Sequence, residues 1–433
     1  MHDTKKPPLN QGQQAAADGF FEFLFGDKKE LIISGPGGVG KTFLMGHLID
    51  EIMPRYFETC KLMGIPHQYH DVKMTATTNK AADVLGAATL RPADTIHSFL
   101  NLKVKDNFHT GRSTLLKTNS WQVNEGKILF VDESSMIDTP LRNMILEGTH
   151  KSKIIYVGDH CQLAPVMETL SPIYSDNLPF FELTEPMRTG DKHLQALNQQ
   201  LRNAVETGEF HPIQIVPGVI DWLDDAEMEQ AVQQSFLSGN TDNRIVAYTN
   251  KRVIEFNDHI RQIRNLPPSF TQGEVLVNNS AVRIGKSMLS VEEEVVLLEL
   301  SDDIEEIEIA RNVVLHVRRA TLSTALKGIF QNVPLPVDQN HFAQLIKWFS
   351  QQKNWERYFH LKNTYPDLRQ RDAATVHKVQ GSSHDTIFID ATNISTCHQP
   401  NTAARLLYVA ATRARHRVVF YGELASKYGG LVR

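Results

Sequence analysis

The sequence predicts an α/β protein with two parallel-sheet domains. Two sets of short apolar runs alternate with segments of helix length, and strands that alternate with helices form βαβ units and a parallel sheet. A length of 433 residues with 41% hydrophobic content also supports more than one core, because single cores stop growing at roughly 250 to 300 residues. The first set is LIISG (31–35), KMTATT (73–78), KILFVDE (127–133) and KIIYVGD (153–159), and the second is RIVAYT (244–249), ATVHKV (374–379), TIFIDA (386–391) and RVVFYG (417–422).

Two stretches interrupt this pattern. Residues 270–370 contain β-rich runs separated by acidic turns, which favours a small antiparallel insert. The second domain is therefore expected in two pieces, 191–269 and 371–433. The first domain is expected to span residues 1–190. Its polar excursion KVKDNFHTGRSTLLKT (103–118), with a turn signal at 109–112, predicts a protruding hairpin insert within 98–122.

Composition excludes several classes of protein. A formal net charge of −5 excludes a globally basic nucleic-acid binder, so any strand-binding surface must be a local groove. The three cysteines, Cys60, Cys161 and Cys397, lack the CxxC spacing of zinc or redox sites and indicate a reducing compartment. No apolar run is long enough to span a bilayer, and the N-terminal residues lack the apolar core of a signal peptide. We therefore expect a cytoplasmic protein without a membrane partner.

The segment GPGGVGKT (35–42) follows a predicted strand and precedes a predicted helix, which is the context of a phosphate-binding loop. Its glycines allow backbone N–H groups to converge on phosphates at a helix N-terminus. Lys41 is expected to reach the β- and γ-phosphates, and the Thr42 hydroxyl to bind Mg²⁺. The segment predicts a nucleoside triphosphate site formed by Gly35, Gly37, Gly38, Gly40, Lys41 and Thr42.

Two further strands end in polar residues that suit the same site, because ligands bind at the carboxyl edge of a parallel sheet. In ILFVDESSM (128–136), Asp132 is expected to hold Mg²⁺ and Glu133 to orient and deprotonate the attacking water. In GDHCQLAPV (158–166), Asp159 and Gln162 are expected beside the γ-phosphate, where Gln162 can sense hydrolysis.

With these motifs the chain resembles superfamily 1 helicases, and within them the Dda-type phage helicases and the RecD-like enzymes of the 1B branch. The resemblance covers nearly the whole chain. The segment LNQGQQAA (9–16) is similar to the N-terminal glutamine motif, which implies that Gln13 recognises adenine. TATTNKAA (75–82) looks like motif Ia, and DTIHSFL (94–100) looks like the Thr-Ile-His motif that contacts the strand.

The later signatures follow in family order. LTEPMRTG (183–190) is similar to motif IV, which implies that Arg188 contacts the γ-phosphate, and RIVAYTNKRVIEFN (244–257) matches the next signature. ATVHKVQGSS (374–383) looks like motif V, and LLYVAATRAR (406–415) looks like motif VI, which implies Arg413 as a second arginine finger. A guanidinium at the γ-phosphoryl group neutralises charge that develops there and contributes roughly 10³ to 10⁵ in rate.

The resemblance implies two RecA-like domains with ATP and Mg²⁺ in the cleft and an SH3-like fold for the β-rich insert. It implies an ATP-dependent DNA helicase that moves 5′ to 3′ on single-stranded DNA and unwinds duplexes in replication, recombination or repair. His97 and His377 lie in motifs rich in Thr and Ser, although either alone suits a structural role. The expected strand contacts are Thr77, Asn79, Thr95, His97, Phe99, Asn250, Lys251, Thr375, His377 and Lys378.

The hairpin is expected to separate the strands at a junction of single- and double-stranded DNA, through either Phe108 or Leu116. An ordinary exposed connector is the alternative. We expect a monomer, in the host cytoplasm if the chain is phage-encoded, with a single-strand-binding protein or a replisome component as a further partner.

Two other functions fit part of the pattern. The first is a DNA-stimulated ATPase that translocates or remodels protein–DNA complexes without productive unwinding. The second is a kinase or GTPase-like switch that uses the same phosphate loop. It predicts neither stimulation by single strands nor a role in hydrolysis for an arginine after residue 400.

Overall fold

The computed structural model describes residues 7–165, 168, 170–187, 191–238, 242–285, 287–325 and 327–432. The described residues form two compact units. Unit 1 comprises residues 1–103, 115–209 and 400–412, and unit 2 comprises residues 104–114, 210–399 and 413–433. None of the described helices combines the length and the apolar character that crossing a bilayer requires.

The α-helices and β-strands that precede residue 209 come first. They are α1 (Gln11–Phe25), β1 (Glu30–Ser34), α2 (Lys41–His47), α3 (Met53–Met63), β2 (Asp71–Ala76), α4 (Asn79–Thr89), β3 (Ala93–Thr95), α5 (Ile96–Phe99), β4 (Leu102–Asn107), β5 (Arg112–Lys117), β6 (Asn124–Glu125), β7 (Lys127–Asp132), α6 (Thr139–Glu147), β8 (Thr149–His150), β9 (Lys153–Gly158), β10 (Phe180–Glu182) and α7 (Lys192–Thr207).

The remaining helices and strands follow in chain order. They are β11 (Ile213–Gln214), β12 (Ile220–Leu223), α8 (Asp225–Phe236), β13 (Arg244–Ala247), α9 (Asn250–Ile263), β14 (Val275–Asn278), β15 (Val282–Ile284), β16 (Ser287–Leu289), β17 (Glu294–Leu300), β18 (Glu305–Ala310), β19 (Val313–Thr324), β20 (Gly328–Pro336), α10 (Gln339–Gln351), α11 (Trp355–Thr364), β21 (Leu368–Gln370), β22 (Ala373–Thr375), β23 (His384–Asp390), α12 (Ala391–Ser395), α13 (Pro400–Ala411), β24 (Ala414–Tyr421) and β25 (Leu431–Val432).

Unit 1 is built on a six-stranded parallel sheet in the order β10-β1-β9-β7-β2-β3. Alternate residues of its central strands face two separate cores. Phe130 and Ile155 pack on one face with side chains of α1, α2 and α3, whereas Leu129 and Ile154 pack on the other with α5 and α6. Because both faces are covered, these strands are apolar along nearly their whole length. The predicted first parallel sheet is confirmed.

Unit 2 contains a second parallel sheet in the order β12-β24-β23-β13-β22. The chain leaves this sheet after α9 and returns at β22. Between them lies an antiparallel sheet in the order β18-β19-β17-β14-β21, with β20 paired to β19. The second parallel sheet is therefore confirmed, and it is split as predicted. An SH3-like fold for the insert stays a prediction.

Two local expectations differ from the structure. The run 374–379 was predicted as a strand, but β22 ends at Thr375 and the backbone turns, with the Lys378 N–H donating to the Thr375 carbonyl. The insert also contains two helices, α10 and α11, that the β-rich pattern did not predict. Their apolar residues, including Phe342 and Phe349, form a separate core with β18 and β19.

The compact units also group three segments differently from the predicted domain boundaries. Residues 104–114 of the hairpin belong to unit 2, where they pack on α11. Helices α7 and α13 belong to unit 1 and pack against each other. These groupings depend on long-range contacts that no local pattern encodes. The domain boundaries stay a prediction.

The packing of α1 on β10 can be tested at Gly19. A Cβ added there would overlap the Phe181 ring, so Gly19→Ala is expected to lower the free energy of unfolding by about 1 to 3 kcal/mol. Gly46, also within a helix, has open space around it, so Gly46→Ala should be neutral or stabilise the protein by up to about 1 kcal/mol. Denaturant unfolding followed by circular dichroism measures both. Equal effects of the two substitutions would contradict this packing.

Candidate functional site

The carboxyl ends of five neighbouring strands in unit 1 meet at one edge of the sheet. Ser34, the last residue of β1, is in register with Gly158 of β9 and with Glu182 of β10. Asp132, the last residue of β7, is in register with Ala76 of β2. Parallel strands in register deliver the loops that follow them to the same place. The predicted phosphate loop, the acidic pair and the 159–162 loop therefore share one edge.

The phosphate loop joins β1 directly to α2, as its sequence predicts. Gly40 adopts the left-handed φ of 81° immediately before the helix, a conformation that glycine adopts without strain. The Lys41 ammonium donates to the Gly35 and Pro36 carbonyls at 2.7 and 2.9 Å. The loop thus holds its lysine by its own backbone, and triphosphate oxygens can replace these two carbonyls as acceptors.

Gln13 lies against this loop. Its carboxamide is fully buried, donates to the Val39 carbonyl at 3.1 Å and accepts the Asn10 N–H at 3.1 Å. The side chain therefore completes a capping box at the start of α1 and touches the phosphate loop from within the protein. Recognition of adenine by Gln13 stays a prediction.

The acidic pair ends β7 in a strained turn. Glu133 has a φ of 52°, the left-handed region that costs a non-glycine residue about 1 to 3 kcal/mol. Its N–H donates to the Asp132 carboxylate at 2.9 Å, and the Thr77 hydroxyl donates to its carbonyl at 3.2 Å. Strain of this kind persists at sites where a side chain must be aimed. We infer that the turn sets the direction of the Glu133 carboxylate.

The donor set fits a Mg²⁺ ion. Burial and the neighbouring Glu133 carboxylate raise the pKa of Asp132 to about 7, while the Glu133 N–H and the Lys41 charge oppose this shift. Two carboxyl groups crowded in this way favour a bound cation, and carboxylate and hydroxyl oxygens are the ligands that Mg²⁺ prefers. Asp132 and Thr42 would hold the ion, which supplies charge neutralisation at the phosphates.

The loop after β9 is fixed by buried hydrogen bonds. The Asp159 carboxylate accepts from Arg202 at 2.8 Å and from the Tyr408 hydroxyl at 2.7 Å. The Arg405 guanidinium donates to the carbonyls of His160 and Gln162, both at 2.6 Å. Sequence reasoning missed Arg202, Arg405 and Tyr408. The one indication in the sequence was Asp159, an acidic residue at the end of an apolar strand, which requires hydrogen-bond donors around its carboxylate.

Gln162 itself has an unused acceptor. Its side chain is 5% exposed, and its Oε1 has no hydrogen-bond partner among the described residues. A buried polar atom without a partner costs free energy, so this atom suits a ligand that donates. The attacking water donates, whereas phosphate oxygens accept. The place of Gln162 beside the γ-phosphate stays a prediction.

A possible metal cluster beside this loop is already neutralised. Ligand atoms of His160, Glu182 and Glu206 lie within 4.8 Å of one another. Arg202 donates to Glu182 at 2.6 Å and forms an ion pair with Glu206 at 3.0 Å. Burial and the Arg202 charge lower the pKa of His160. The guanidinium thus supplies the positive charge that these carboxylates require.

The segment that resembles motif IV lies against the phosphate loop. The Leu183 N–H donates to the Ser34 carbonyl at 2.8 Å, and the Met187 N–H donates to the Gly38 carbonyl at 2.9 Å. Arg188, the predicted γ-phosphate contact, lies outside the described residues. Its role stays a prediction, as does that of Arg413. Arg413 lies in unit 2, is buried and donates to the Ser382 carbonyl at 3.3 Å.

The same three residues, Thr-Asn-Lys, begin a helix after a parallel strand in each unit. In unit 1 the Thr78 hydroxyl caps α4, and Asn79 is the first helical residue. In unit 2 the Thr249 hydroxyl caps α9, and Asn250 is the first helical residue. Helix N-termini bind phosphate, and Asn79, Asn250 and the adjoining Lys251 are exposed. Sequence reasoning quoted both segments but missed their equivalence.

Other predicted strand contacts have structural partners. Thr95 caps α5, accepting the Ser98 N–H, and Phe99 packs against a core of unit 1. Thr375 is buried, whereas His377 is exposed. Burial lowers the pKa of His97. The strand contacts of these residues stay predictions.

Lys378 is less accessible than its motif predicts. Its ammonium contacts Asn279 and forms an ion pair with Glu292 at 2.8 Å. A strand phosphate would have to replace or join Glu292 as the partner of this cation. A strand contact by Lys378 stays a prediction.

The structure of the hairpin differs at Phe108 and Leu116, the two candidate residues for strand separation. Phe108 lies in the turn between β4 and β5 and is 55% exposed, with its ring edge-on to Phe359 at 5.7 Å. Leu116 lies in the return strand and is 36% exposed. Asn363 of α11 also donates to Asp106 at 2.8 Å. The geometry favours Phe108 as the residue that a ligand meets at the tip.

Lys41→Ala is expected to lower the rate of ATP turnover by roughly 10²-fold or more, because it removes the cation that faces the β- and γ-phosphates. Lys41 is only partly buried, so the thermal unfolding midpoint without nucleotide should stay near that of the wild type. Steady-state phosphate release measures the effect. Turnover near the wild-type rate would contradict the assignment of the phosphate loop.

Glu133→Gln is expected to retain binding of ATP and Mg²⁺ but to lower kcat by roughly 10² to 10⁴-fold, because the amide keeps the shape but does not accept the water's proton. Asp132→Asn is the matched comparison and should weaken Mg²⁺-dependent binding. A fluorescent ATP analogue measures binding, and a single-turnover assay measures hydrolysis. If Glu133→Gln lost nucleotide binding instead, the base assignment would be wrong.

Two domain families match segments of this chain. The AAA domain family matches residues 8–215, and the UvrD-like helicase C-terminal domain family matches residues 372–421. These segments contain the phosphate loop, the acidic pair and the 159–162 loop in the first case, and motifs V and VI in the second. Both families therefore match where the corresponding motifs lie.

One helicase relative aligns with this chain over nearly the full length of both proteins. The ATP-dependent DNA helicase dda of Enterobacteria phage T4 is 23% identical and aligns with 95% of this chain and 99% of its own. The RecBCD enzyme subunit RecD of Buchnera aphidicola is 27% identical over 31% of this chain and 23% of its own. The crystal structure of a Bacteroides Pif1 helicase has the same fold, with a TM-score of 0.51 and 14% identity over 99% of this chain and 95% of that one. These matches support the resemblance of the chain to superfamily 1B helicases of the Dda type.

Proposed function

We propose that the chain is an ATP-driven motor that moves along single-stranded DNA, 5′ to 3′, and separates the strands of a duplex. The observation that carries the proposal is the grouping of several predicted hydrolytic residues at one sheet edge. Lys41, Asp132 and Glu133 meet there, and Gln162 presents a buried, unused acceptor. The polarity rests on the family resemblance.

The hydrolytic step divides among these residues. Lys41 would bind the phosphates, and Thr42 and Asp132 would hold Mg²⁺, which would neutralise phosphate charge. Glu133 takes the proton of the attacking water, and the Gln162 oxygen accepts the water's other hydrogen. The contact of Gln162 with the attacking water is lost once the γ-phosphate leaves, so the 159–162 loop can report hydrolysis to the residues packed on it.

Three observations support DNA as the track. The Thr-Asn-Lys helix starts, with Asn79 and Asn250 exposed, would give each unit its own phosphate contact, as a motor that alternates its hold requires. The T4 relative is named as a DNA helicase, and the Bacteroides Pif1 helicase was crystallised with single-stranded DNA. A kinase or GTPase-like switch has no need for the second unit's phosphate contact.

A strand-displacement assay tests the proposal. Forked and tailed duplexes are incubated with ATP, and release of the labelled strand is measured. We expect release from duplexes with a 5′ single-stranded tail and little from those with a 3′ tail. Stimulated ATP turnover without strand release would favour the translocase that remodels protein–DNA complexes.

Strand binding is expected to weaken with salt although the net charge is −5, with a log–log slope of about −0.7 for each phosphate neutralised. Lys251 is 89% exposed at the side chain, so Lys251→Ala should reduce the slope by about one such step. Lys151 is the control. Its side chain is 69% exposed, and it lies just before β9, at the end of the unit 1 sheet opposite the phosphate loop. Fluorescence anisotropy measures binding across a salt series. A flat response in the wild-type protein would exclude a groove of backbone contacts.

The hairpin is expected to act only in strand separation. Phe108 can replace the stacking that the parting bases lose, about 1.4 kcal/mol per step. Phe108→Ala should therefore reduce strand release while sparing stimulated ATPase and single-strand translocation. Leu116→Ala, away from the turn, is the matched control. Unchanged release in the double variant would remove the hairpin from the mechanism, and parallel loss of both activities would show that it is structural.

A further inference from the structure

Arg202 lies on α7, outside every signature in the sequence, yet it is only 3% exposed and holds several partners. Its guanidinium donates to Asp159 at 2.8 Å, to Glu182 at 2.6 Å and to the Tyr408 hydroxyl at 3.2 Å. It also pairs with Glu206 at 3.0 Å, one turn further along the same helix. Burial alone would lower the pKa of Arg202, but the neighbouring Asp159 raises it above the usual range.

Three partners of Arg202, namely Asp159, Glu182 and Tyr408, lie in or directly beside three different signatures. Asp159 begins the loop that carries Gln162. Glu182 ends β10 and immediately precedes the segment that resembles motif IV. Tyr408 lies on α13, whose sequence resembles motif VI, and it donates to the second oxygen of Asp159. One guanidinium and one carboxylate therefore join segments that lie far apart in the sequence.

We propose that Arg202 is a positioning residue for the motor reaction, which holds the Gln162 loop, the end of β10 and helix α13 in one arrangement. The inference rests on the proposed ATPase activity of this site. Among the described residues, no hydrogen bond joins Arg202 to the phosphate loop. Arg202 therefore acts through Asp159. Arg405, which grips the carbonyls on either side of Cys161, completes the hold on the same loop.

Arginine is the residue that this position requires. Its planar fork presents donors in several fixed directions, so it reaches Asp159, Glu182 and Glu206 at once. A lysine ammonium keeps the charge but not the fork. If Arg202 only neutralised charge, Arg202→Lys would be well tolerated. If it positions the three segments, the lysine variant should hydrolyse ATP slowly although it folds.

The structure contains a matched control for a purely structural role. Glu30 accepts from Arg142 at 3.1 Å and from the Tyr156 hydroxyl at 3.0 Å, which repeats the Arg–carboxylate–Tyr arrangement. Tyr156 is as buried as Tyr408. Glu30 begins β1, so it lies at the end of the sheet opposite the phosphate loop, about 13 Å away along the strand.

The experiment compares Tyr408→Phe with Tyr156→Phe, each of which removes one buried hydroxyl and keeps the ring. Both should lower the thermal midpoint by similar amounts. Tyr408→Phe should also lower kcat for DNA-stimulated ATP hydrolysis by about tenfold, with the KM for ATP within about twofold of the wild type. Tyr156→Phe should keep the wild-type kcat and KM.

The arginine pair extends the test. Arg202→Lys should lower kcat by about tenfold or more at a wild-type KM, whereas Arg142→Lys should lose only stability. Wild-type kcat in both Tyr408→Phe and Arg202→Lys would overturn the proposal, as would equal losses in the control pair. A wild-type protein without ATP turnover would instead refute the proposed function, which keeps the two failures distinct.

Discussion

The parallel register of the unit 1 sheet is the constraint on which the candidate site depends. Because Ser34 pairs with Gly158 and Glu182, and Ala76 pairs with Asp132, the loops after these strands emerge together. The phosphate loop and the predicted Mg²⁺ ligand, catalytic base and sensing glutamine are separate in sequence, and they share a sheet edge only through this pairing. Apolar side chains on both faces fix the register, since a shift by one residue would exchange the two cores.

Much of this arrangement could be predicted from the sequence. Strand–loop–helix context and glycine spacing predicted the phosphate loop, and polar residues at the ends of apolar strands predicted a site with Asp132, Glu133 and Gln162 at the same edge. Both parallel sheets and the split of the second were predicted because strand patterns alternate with helical ones. These features are local, or follow from the rule that parallel strands share an edge.

The rest depends on contacts that local patterns do not encode. Arg202 resembles any other arginine on an amphipathic helix, and only the folded chain shows it buried between Asp159 and Glu182. Lys378 lies in a motif typical of strand contacts, but its ion pair with Glu292 joins residues 86 positions apart. The sequence did not distinguish Phe108 from Leu116. In the structure, only Phe108 lies at the tip, in the turn between β4 and β5.

The central claim is that hydrolysis at the unit 1 sheet edge is coupled to a nucleic-acid strand. The most direct measurement is the steady-state rate of ATP hydrolysis with and without saturating single-stranded DNA, at low salt and with Mg²⁺ present. We expect low ATP turnover for the free protein and a several-fold rise in kcat when single-stranded DNA is added. Equal rates with and without DNA would contradict it.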